Sequence, residues 1–343
     1  MADTETHNLS SSDSSVVLRV DRHLWFEDGN LIIAARASKP DPSAPDDLLY
    51  FKIYREMLGL HSPVFRQMFR LPTPVVEEVI DGVQVAQLPD DAYDVQSFLR
   101  FIFCPSWEPQ GTYPPDYASR MGGALKLSVK YDAENLKEHI FSRLRQAWPR
   151  DIREWDRRRW VIDDEVSMKM LEMGKEEEGC PVPPDEDFEP HAVIAMIRES
   201  CCQDELRDVL ALAYYDLSCY PEGFMELPSG YLIEDDFRRL VTGRAELVNL
   251  LTIYVQLSPS EEAKTYCRNE ECIDARGRLW SELWGEFAAQ PDCFGFLNRS
   301  LRRLQSSRFY AAHVCGPCAE KLERHIRENR EKVFKWIPDC FII

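Results

Sequence analysis

The stretch that decides the fold begins with Leu24-Trp25-Phe26-Glu27-Asp28-Gly29-Asn30-Leu31-Ile32-Ile33 and runs to Phe103. Two β-prone runs flank Asp28-Gly29, and this pattern predicts a hairpin. Further on, apolar and polar residues alternate from Leu49 to Tyr54. Alternation with a period of two predicts a short strand that has one apolar face.

The same stretch contains two signals for the start of a helix. Ser62 is a good N-cap, and Pro63 follows at the first helical position, where its missing N–H costs no hydrogen bond. Asp91 can cap a later helix, after a strand predicted from Val83 to Leu88. Apolar residues then recur at helical spacing. They are Val64, Phe65, Met68 and Phe69, then Val95, Phe98, Leu99, Ile102 and Phe103 up to Pro105, and then Met121, Leu125, Val129, Leu136, Ile140 and Leu144.

The order of strands, helix pair, strand and helices predicts an α+β domain over residues 16–148, with a small sheet flanked by helices. Several phrases of the sequence make this domain similar to the BTB/POZ family, a protein-interaction module, and in particular to the BTB-domain proteins of mushroom-forming fungi. The phrases are Leu24-Trp25-Phe26-Glu27-Asp28-Gly29, His61-Ser62-Pro63-Val64-Phe65-Arg66-Gln67-Met68-Phe69-Arg70-Leu71-Pro72, Glu77-Glu78-Val79-Ile80-Asp81-Gly82 and Val333-Phe334-Lys335-Trp336-Ile337-Pro338-Asp339-Cys340-Phe341.

The resemblance implies a non-enzymatic function in binding protein partners. BTB domains generally form homodimers through a helical face and the N-terminal segment, and Val16 to Val20 is a β-prone run that could pair with a partner chain. Some BTB proteins are adaptors that dock the cullin scaffold of ubiquitin ligases. Val75-Val76-Glu77 or Val76-Glu77-Glu78 fits the short docking motif of that class. The chain departs from the family at Tyr54, where many BTB domains have His.

Length, composition and charge limit the other functions. A chain of 343 residues with 44% hydrophobic residues has room for about two domains with real cores. A net charge of −18 argues against a nucleic-acid partner, which needs clustered Lys and Arg. We interpret the arginines between Arg150 and Arg159 as a solvated helix face, because Asp151, Glu154 and Asp156 alternate with them. The other reading of these arginines is a local site for an anionic partner or for nuclear import.

We expect the protein to be intracellular, in the cytoplasm, the nucleus or both. No apolar run approaches the ~18 residues that a membrane span needs, and the N-terminus lacks a secretory signal pattern. The composition also divides the chain. Residues 1–15 are rich in Ser and Thr and predict a disordered tail. Residues 149–173 predict a helical connector, residues 174–190 an acidic, Pro-rich linker, and residues 191–343 a mainly helical C-terminal domain.

Two cysteine pairs in the C-terminal domain are the candidates for metal chemistry. Cys267 and Cys272 are separated by four residues, and Cys315 and Cys318 by two. Four thiols in two close pairs are typical of a tetrahedral structural zinc site, although 42 residues between the pairs exceed the spacing of a zinc ribbon. Cys293 and His313 are alternative ligands. The other interpretation is that the four are ordinary buried thiols, and no cofactor apart from this zinc ion is predicted.

The tetrapeptide Cys315-Gly316-Pro317-Cys318 also admits a redox interpretation, because it is identical to the active-site sequence of thioredoxin. Phe309 to Val314 could form a strand and Ala319 could begin a helix, as that site requires. The further strands of a thioredoxin fold do not follow, since only 25 residues come after Cys318. A thiol-disulfide oxidoreductase therefore stays as the enzymatic alternative, and a BTB-type transcriptional regulator with a zinc-stabilised tail is a third hypothesis.

Overall fold

A computed structural model describes residues 4–11, 14–38, 48–71, 78–111, 116–158, 190–219, 232–256, 267–287, 292–298 and 313–341. The chain divides into two compact units. The first comprises Met1–Ala147 and Ala195–Gln203, and the second comprises Trp148–Ile194 and Asp204–Ile343. The first unit is α+β, as predicted, whereas the described residues of the second unit contain helices and no strand.

The first unit contains a mixed sheet and five helices within its described residues. The strands are β1 (Thr4–Ser11), β2 (Ser14–Trp25), β3 (Leu31–Arg36), β4 (Leu48–Ile53), β5 (Val79–Ile80) and β6 (Val83–Asp91). The helices are α1 (Arg55–His61), α2 (Pro63–Met68), α3 (Ala92–Phe103), α4 (Tyr117–Lys130) and α5 (Glu134–Ala147), with a 3₁₀ turn at Pro105–Trp107. The order of the strands across the sheet is β1-β2-β4-β3-β6-β5.

The sheet differs from the sequence prediction around Asp28-Gly29. These residues make a turn, in which the Gly29 N–H donates to the Phe26 carbonyl (3.1 Å), but β2 and β3 do not form a hairpin. Instead β4 lies between them, parallel to β2 and antiparallel to β3. A contact between distant segments has therefore replaced the local pairing that the turn signal predicts.

The N-terminal residues also differ from the prediction. Residues 4–11, predicted to belong to a disordered tail, form β1 and pair antiparallel with β2. The β-prone run from Val16 to Val20 lies within β2, and it pairs with β1 of its own chain rather than being free for a partner. Thr and Ser side chains do not prevent strand formation where a neighbouring strand satisfies the backbone hydrogen bonds.

The main core of the first unit lies between one face of the sheet and the helices. Ile33, Phe51 and Ile53 point from the sheet into this core, where they meet Phe65 of α2 and Phe98 of α3. The opposite face of the sheet carries a smaller apolar cluster because side chains alternate along each strand. The predicted apolar face of α3 is confirmed, since these residues are buried: Val95, Phe98, Leu99 and Ile102.

Two predicted caps are confirmed. The Ser62 hydroxyl accepts a hydrogen bond from the Phe65 N–H (3.1 Å), and Pro63 begins α2. The Asp91 carboxylate caps α3 by accepting from the Tyr93 N–H (2.9 Å). Two residues predicted to lie on apolar helix faces are exposed instead, namely Val64 and Val129.

A buried ion pair joins β2 to α3. The pairing of β2 with β4 shifts register between Val20 and Trp25, and such a bulge changes the direction of the side chains within it. Asp21 lies in this irregular segment, fully buried, and its Oδ2 accepts from Arg100 Nη2 at 2.7 Å and from Gln96 Nε2 at 2.6 Å.

The second unit is built from helices. They are α6 (residues 152–158), α7 (Pro190–Glu199, which continues into the first unit), α8 (Arg207–Ser218), α9 (Glu234–Gln256), α10 (Glu270–Phe287), α11 (residues 293–298), α12 (Gly316–Phe334) and α13 (Ile337–Phe341). The structure describes the predicted connector only as far as residue 158. The remainder of the connector and residues 174–189 of the predicted linker lie outside the described residues.

The short helix α13 packs against α8 and α9. Phe341 is fully buried there, stacked 6.5 Å from the ring of Tyr214. Its ring also lies directly against the backbone of Gly243 in α9, where a Cβ atom would collide with it. A glycine at this position therefore lets the two helices approach closely.

Candidate metal centre

The four predicted cysteines converge in the second unit. The Sγ atoms of Cys267, Cys272, Cys315 and Cys318 all lie within 4.8 Å of one another. The Sγ atoms of Cys272 and Cys315 are 3.6 Å apart, and those of Cys267 and Cys315 are 4.0 Å apart. Among the described residues, no other group of His, Cys, Asp or Glu side chains has this arrangement.

The first cysteine pair lies at the start of α10. The Asn269 side-chain oxygen accepts a hydrogen bond from the Cys272 N–H (3.2 Å), so Asn269 caps the helix. The Cys267 thiol lies 3.8 Å from the Asn269 carbonyl oxygen, to which it can donate. Asn269 therefore fixes both thiols, a role that its position just before an acidic helix start could have predicted.

The second cysteine pair lies at the start of α12. Cys315 is the N-cap residue of this helix, and Pro317 occupies its first turn. The Cys318 N–H donates to the Cys315 carbonyl (3.0 Å), which closes the turn between the two thiols. The Cys315 N–H donates to Cys272 Sγ (3.3 Å), so a backbone donor from one pair stabilises negative charge on the other.

The thiols differ in acidity because their surroundings differ. Burial raises the pKa of Cys318 to about 12, and hydrogen bonds with the neighbouring thiols add to this effect. Burial also raises the pKa of Cys272. For Cys315, burial opposes ionisation, but hydrogen bonds from the Cys318 N–H and the surrounding thiols outweigh it and lower the pKa. Cys315 therefore becomes a thiolate more readily than Cys272 or Cys318.

The geometry fits a tetrahedral tetrathiolate. With metal–sulfur bonds of about 2.3 Å, the sulfurs of such a site are about 3.8 Å apart. The separations of 3.6 Å and 4.0 Å lie on either side of this value. Cys267, Cys272 and Cys318 are buried and Cys315 is half-buried. Four protein thiols fill a tetrahedral shell, which is typical of a structural site and not of a catalytic one with an open position.

Neither alternative ligand belongs to this group. Cys293 is buried next to Asp292, and burial raises the pKa of its thiol to about 11. His313 is exposed, two residues before Cys315. The predicted strand before the second pair lies mostly outside the described residues. Its last two residues, His313 and Val314, are not in a strand.

The arginine-rich segment is only partly the solvated helix face that the charge pattern predicts. Arg150, Arg153 and Arg157 are exposed, but Arg158 is buried and its Nη2 pairs with Asp216 Oδ2 at 3.0 Å. The Arg158 guanidinium also lies 4.1 Å from the centre of the Trp148 ring. The alternation of charges gave no signal for this contact, because Asp216 is distant in the sequence.

Comparisons with family models, with curated proteins and with solved structures find no match to this chain. Among the described helices, none is both long and apolar enough to cross a membrane.

Proposed function

We propose that this chain is a non-enzymatic interaction protein whose first unit is of the BTB/POZ type. The observation that carries the proposal is a set of exposed apolar side chains on the helix pair α1–α2. Leu60 is 73% exposed and Met57 is 41% exposed, and they lie three residues apart on one face of α1. Val64 of α2 is 39% exposed. Apolar residues grouped on a surface mark a site for another protein.

The topology supports a BTB assignment. The described elements follow the order that the resemblance implies, with strands, a helix pair, a strand and then helices. β3 runs antiparallel to β4 and parallel to β6, so the sheet joins segments on both sides of the helix pair. The helix pair itself is held by Phe65 of α2, which packs on Phe98 and Tyr131. The exposed apolar residues thus lie on a rigid support.

The partner that we propose for this surface is a second copy of the chain. In a twofold homodimer the same self-complementary surface of each subunit forms the interface. The exposed apolar residues of the helix pair α1–α2 can supply this surface. The edge strands of the described sheet are β1 and β5, and β1, the longer of the two, offers an edge for additional pairing. The cullin-docking phrase Val75-Val76-Glu77 lies outside the described residues, so the adaptor hypothesis stays a prediction from the sequence.

Leu60→Asp tests the interaction surface. We expect light scattering to give a dimer for the full chain at micromolar concentration and a monomer for this variant, because a carboxylate would be buried in the interface. Val129→Asp is the matched control, since Val129 is 38% exposed on α4 of the same unit. A monomeric wild-type chain, or equal dissociation by both variants, would contradict the proposal.

We also propose that the four cysteines bind one structural zinc ion. The observation that carries this proposal is that the four Sγ atoms all lie within 4.8 Å of one another. When bound, zinc would cross-link the starts of α10 and α12, because Cys272 and Cys315 are 43 positions apart in the sequence. The lowered pKa of Cys315 supports metal binding, because the thiolate is the form that coordinates metal.

Metal analysis distinguishes this site from a redox-active pair. We expect the purified full chain to contain about one equivalent of zinc. Cys272→Ser should lose the metal, whereas Cys201→Ser should retain it, because Cys201 is exposed and outside the group. If the protein is an oxidoreductase, we expect the opposite results. The protein would contain no metal, Cys315 would be reactive, and the Cys272→Ser variant would still reduce insulin disulfides. The transcriptional-regulator hypothesis also predicts bound zinc, so a separate DNA-binding experiment is needed to test it.

A further inference from the structure

The second unit contains a cavity of 230 Å³ that belongs to neither proposed site. One wall comes from the start of α6 and the residues just before it, and the other from the end of α12. Cationic, acidic and apolar side chains all contribute to its lining. The lining residues are Arg150, Asp151, Ile152, Arg153, Glu331, Phe334 and Lys335.

Three cations line the cavity. Arg150, Arg153 and Lys335 are exposed, and no carboxylate forms an ion pair with their side chains within the part of the chain that the structure describes. Two carboxylates also line the cavity, which leaves a net charge of +1 from three cations and two acids. Asp151 is already engaged, since its Oδ1 accepts from the Arg153 N–H (2.8 Å) and the Glu154 N–H (2.9 Å).

Two other arginines of the same region are neutralised. Arg330 forms two hydrogen bonds with Asp156, the shorter at 2.6 Å, and Arg158 pairs with Asp216. The chain has an excess of acidic residues, with a net charge of −18. Arg150, Arg153 and Lys335 therefore surround one cavity and offer donors to an external anion.

The apolar part of the cavity defines the rest of the ligand. Ile152 and Phe334 are both 6% exposed and line the cavity. From this combination we propose that the cavity binds a carboxylate attached to an aromatic or branched apolar body. A net lining charge of +1 matches one carboxylate, and the planar fork of an arginine matches its two oxygens. The volume is below the ~300 Å³ at which drug-sized pockets begin, which indicates a small ligand.

Calorimetric titration of the full chain with phenylacetate tests this inference independently of the zinc site and the dimer. We expect binding that weakens as salt rises. Phenylacetamide, which keeps the ring without the charge, and acetate, which keeps the charge without the ring, should each bind at least about tenfold more weakly. Failure of phenylacetate to bind, or equal binding of acetate, would overturn the proposal.

Variants locate the site. Arg153→Gln and Lys335→Gln should each weaken phenylacetate binding about tenfold or more, through loss of a charge-assisted hydrogen bond. Arg157→Gln is the matched control, because Arg157 is exposed on the same helix and does not line the cavity. Equal loss in all three variants, with unchanged thermal unfolding, would show nonspecific attraction and refute the site. Titration with a peptide that ends in Phe identifies the source of the carboxylate. If the peptide binds more tightly than phenylacetate, the ligand is the C-terminus of a protein; if it binds more weakly, the ligand is a free acid.

Discussion

Cys272 Sγ lies 3.6 Å from Cys315 Sγ, although the two cysteines are 43 positions apart in the chain. The contact joins the first turn of α10 to the N-cap of α12. It also brings a backbone N–H of one pair to a sulfur of the other. Because of this contact, the structural order of α10 and α12 depends on the chemical state of the four-cysteine group.

Removal of metal should therefore loosen the two helices locally. We expect a chelator to speed hydrogen exchange in α10 and α12 of the full chain, because zinc binding energy is also folding energy for the segments it joins. Exchange in α3 of the first unit should stay unchanged. If α3 and α12 respond equally, or if neither responds, the cysteine group does not hold a structural ion.

The core of the first unit depends on Phe98. Phe98→Ala should lower the free energy of unfolding by ~3–5 kcal/mol, since the buried ring packs on Phe65 and Tyr131. Tyr93→Ala is the control on the same helix, because Tyr93 is 43% exposed. It should cost less than about 1 kcal/mol in the same denaturant titration. Similar costs for both variants would contradict the described orientation of α3.

Arg100→Met should cost about 3–5 kcal/mol, because it leaves Asp21 buried without its counter-ion. The double variant Asp21→Asn, Arg100→Met should cost less than the sum of the single variants, which a double-mutant cycle measures. Arg238→Met removes an exposed pair with Asp235 and should cost less than about 1 kcal/mol. Strict additivity of the Asp21 and Arg100 changes would show that the two side chains do not interact.

The Asp91 cap should make the stability of the first unit depend on pH. Burial opposes ionisation of Asp91, but hydrogen bonds from Ser38 and from the Tyr93 and Asp94 N–H groups outweigh it and lower the pKa below its ordinary value of 3.8. A lowered pKa in the folded state contributes stability that is present above pH 3.8 and is lost as the pH falls through the folded-state pKa.

Asp91→Ala should accordingly cost about 0.5–2 kcal/mol near neutral pH, the usual range for loss of an N-cap. The difference in unfolding free energy between wild type and variant should shrink in acid. Asp94→Ala is a useful comparison, since Asp94 is in the first turn of α3 and is not its cap residue. If the difference in unfolding free energy stays constant as the pH falls, the Asp91 carboxylate is not the origin of the stabilisation.

Two adjacent glycines of α4 give an internally controlled pair. A Cβ at Gly123 would lie 2.6 Å from Asp94 Cα, and backbone cannot easily give way, so Gly123→Ala should destabilise the unit by about 1–3 kcal/mol. Gly122 has no atom within 4 Å of the same position. Gly122→Ala should be neutral or stabilise by up to about 1 kcal/mol, because alanine is the better helix former. The opposite order of the two thermal midpoints would contradict the packing of α4 on α3.

Local signals in the sequence predicted most of the helices and their caps. The apolar spacing of α3 and the caps at Ser62 and Asp91 depend on residues within a few positions of each other, and each was confirmed. The two cysteine pairs were also visible as local spacing, and the structure brings all four thiols together.

Contacts between distant segments could not be predicted in the same way. The Asp28-Gly29 turn signal was correct about a turn and wrong about the hairpin, because β4, from a later part of the sequence, lies between β2 and β3. The burial of Arg158 depends on Asp216, and the cavity depends on residues from both ends of the second unit. Neither the Arg158–Asp216 contact nor the cavity produces a periodic pattern within a short stretch of the sequence.

The packing of α13 has a consequence for genetic variation. Phe341 fills the space beside Gly243, so the core of α8 and α9 is completed by the five-residue helix α13. A product that ends before Ile337 would lack α13, and this loss would uncover Tyr214 and the glycine groove of α9. Such a shortened product would expose apolar surface and be recognised by cellular quality control, so a nonsense mutation there should behave as a loss-of-function allele.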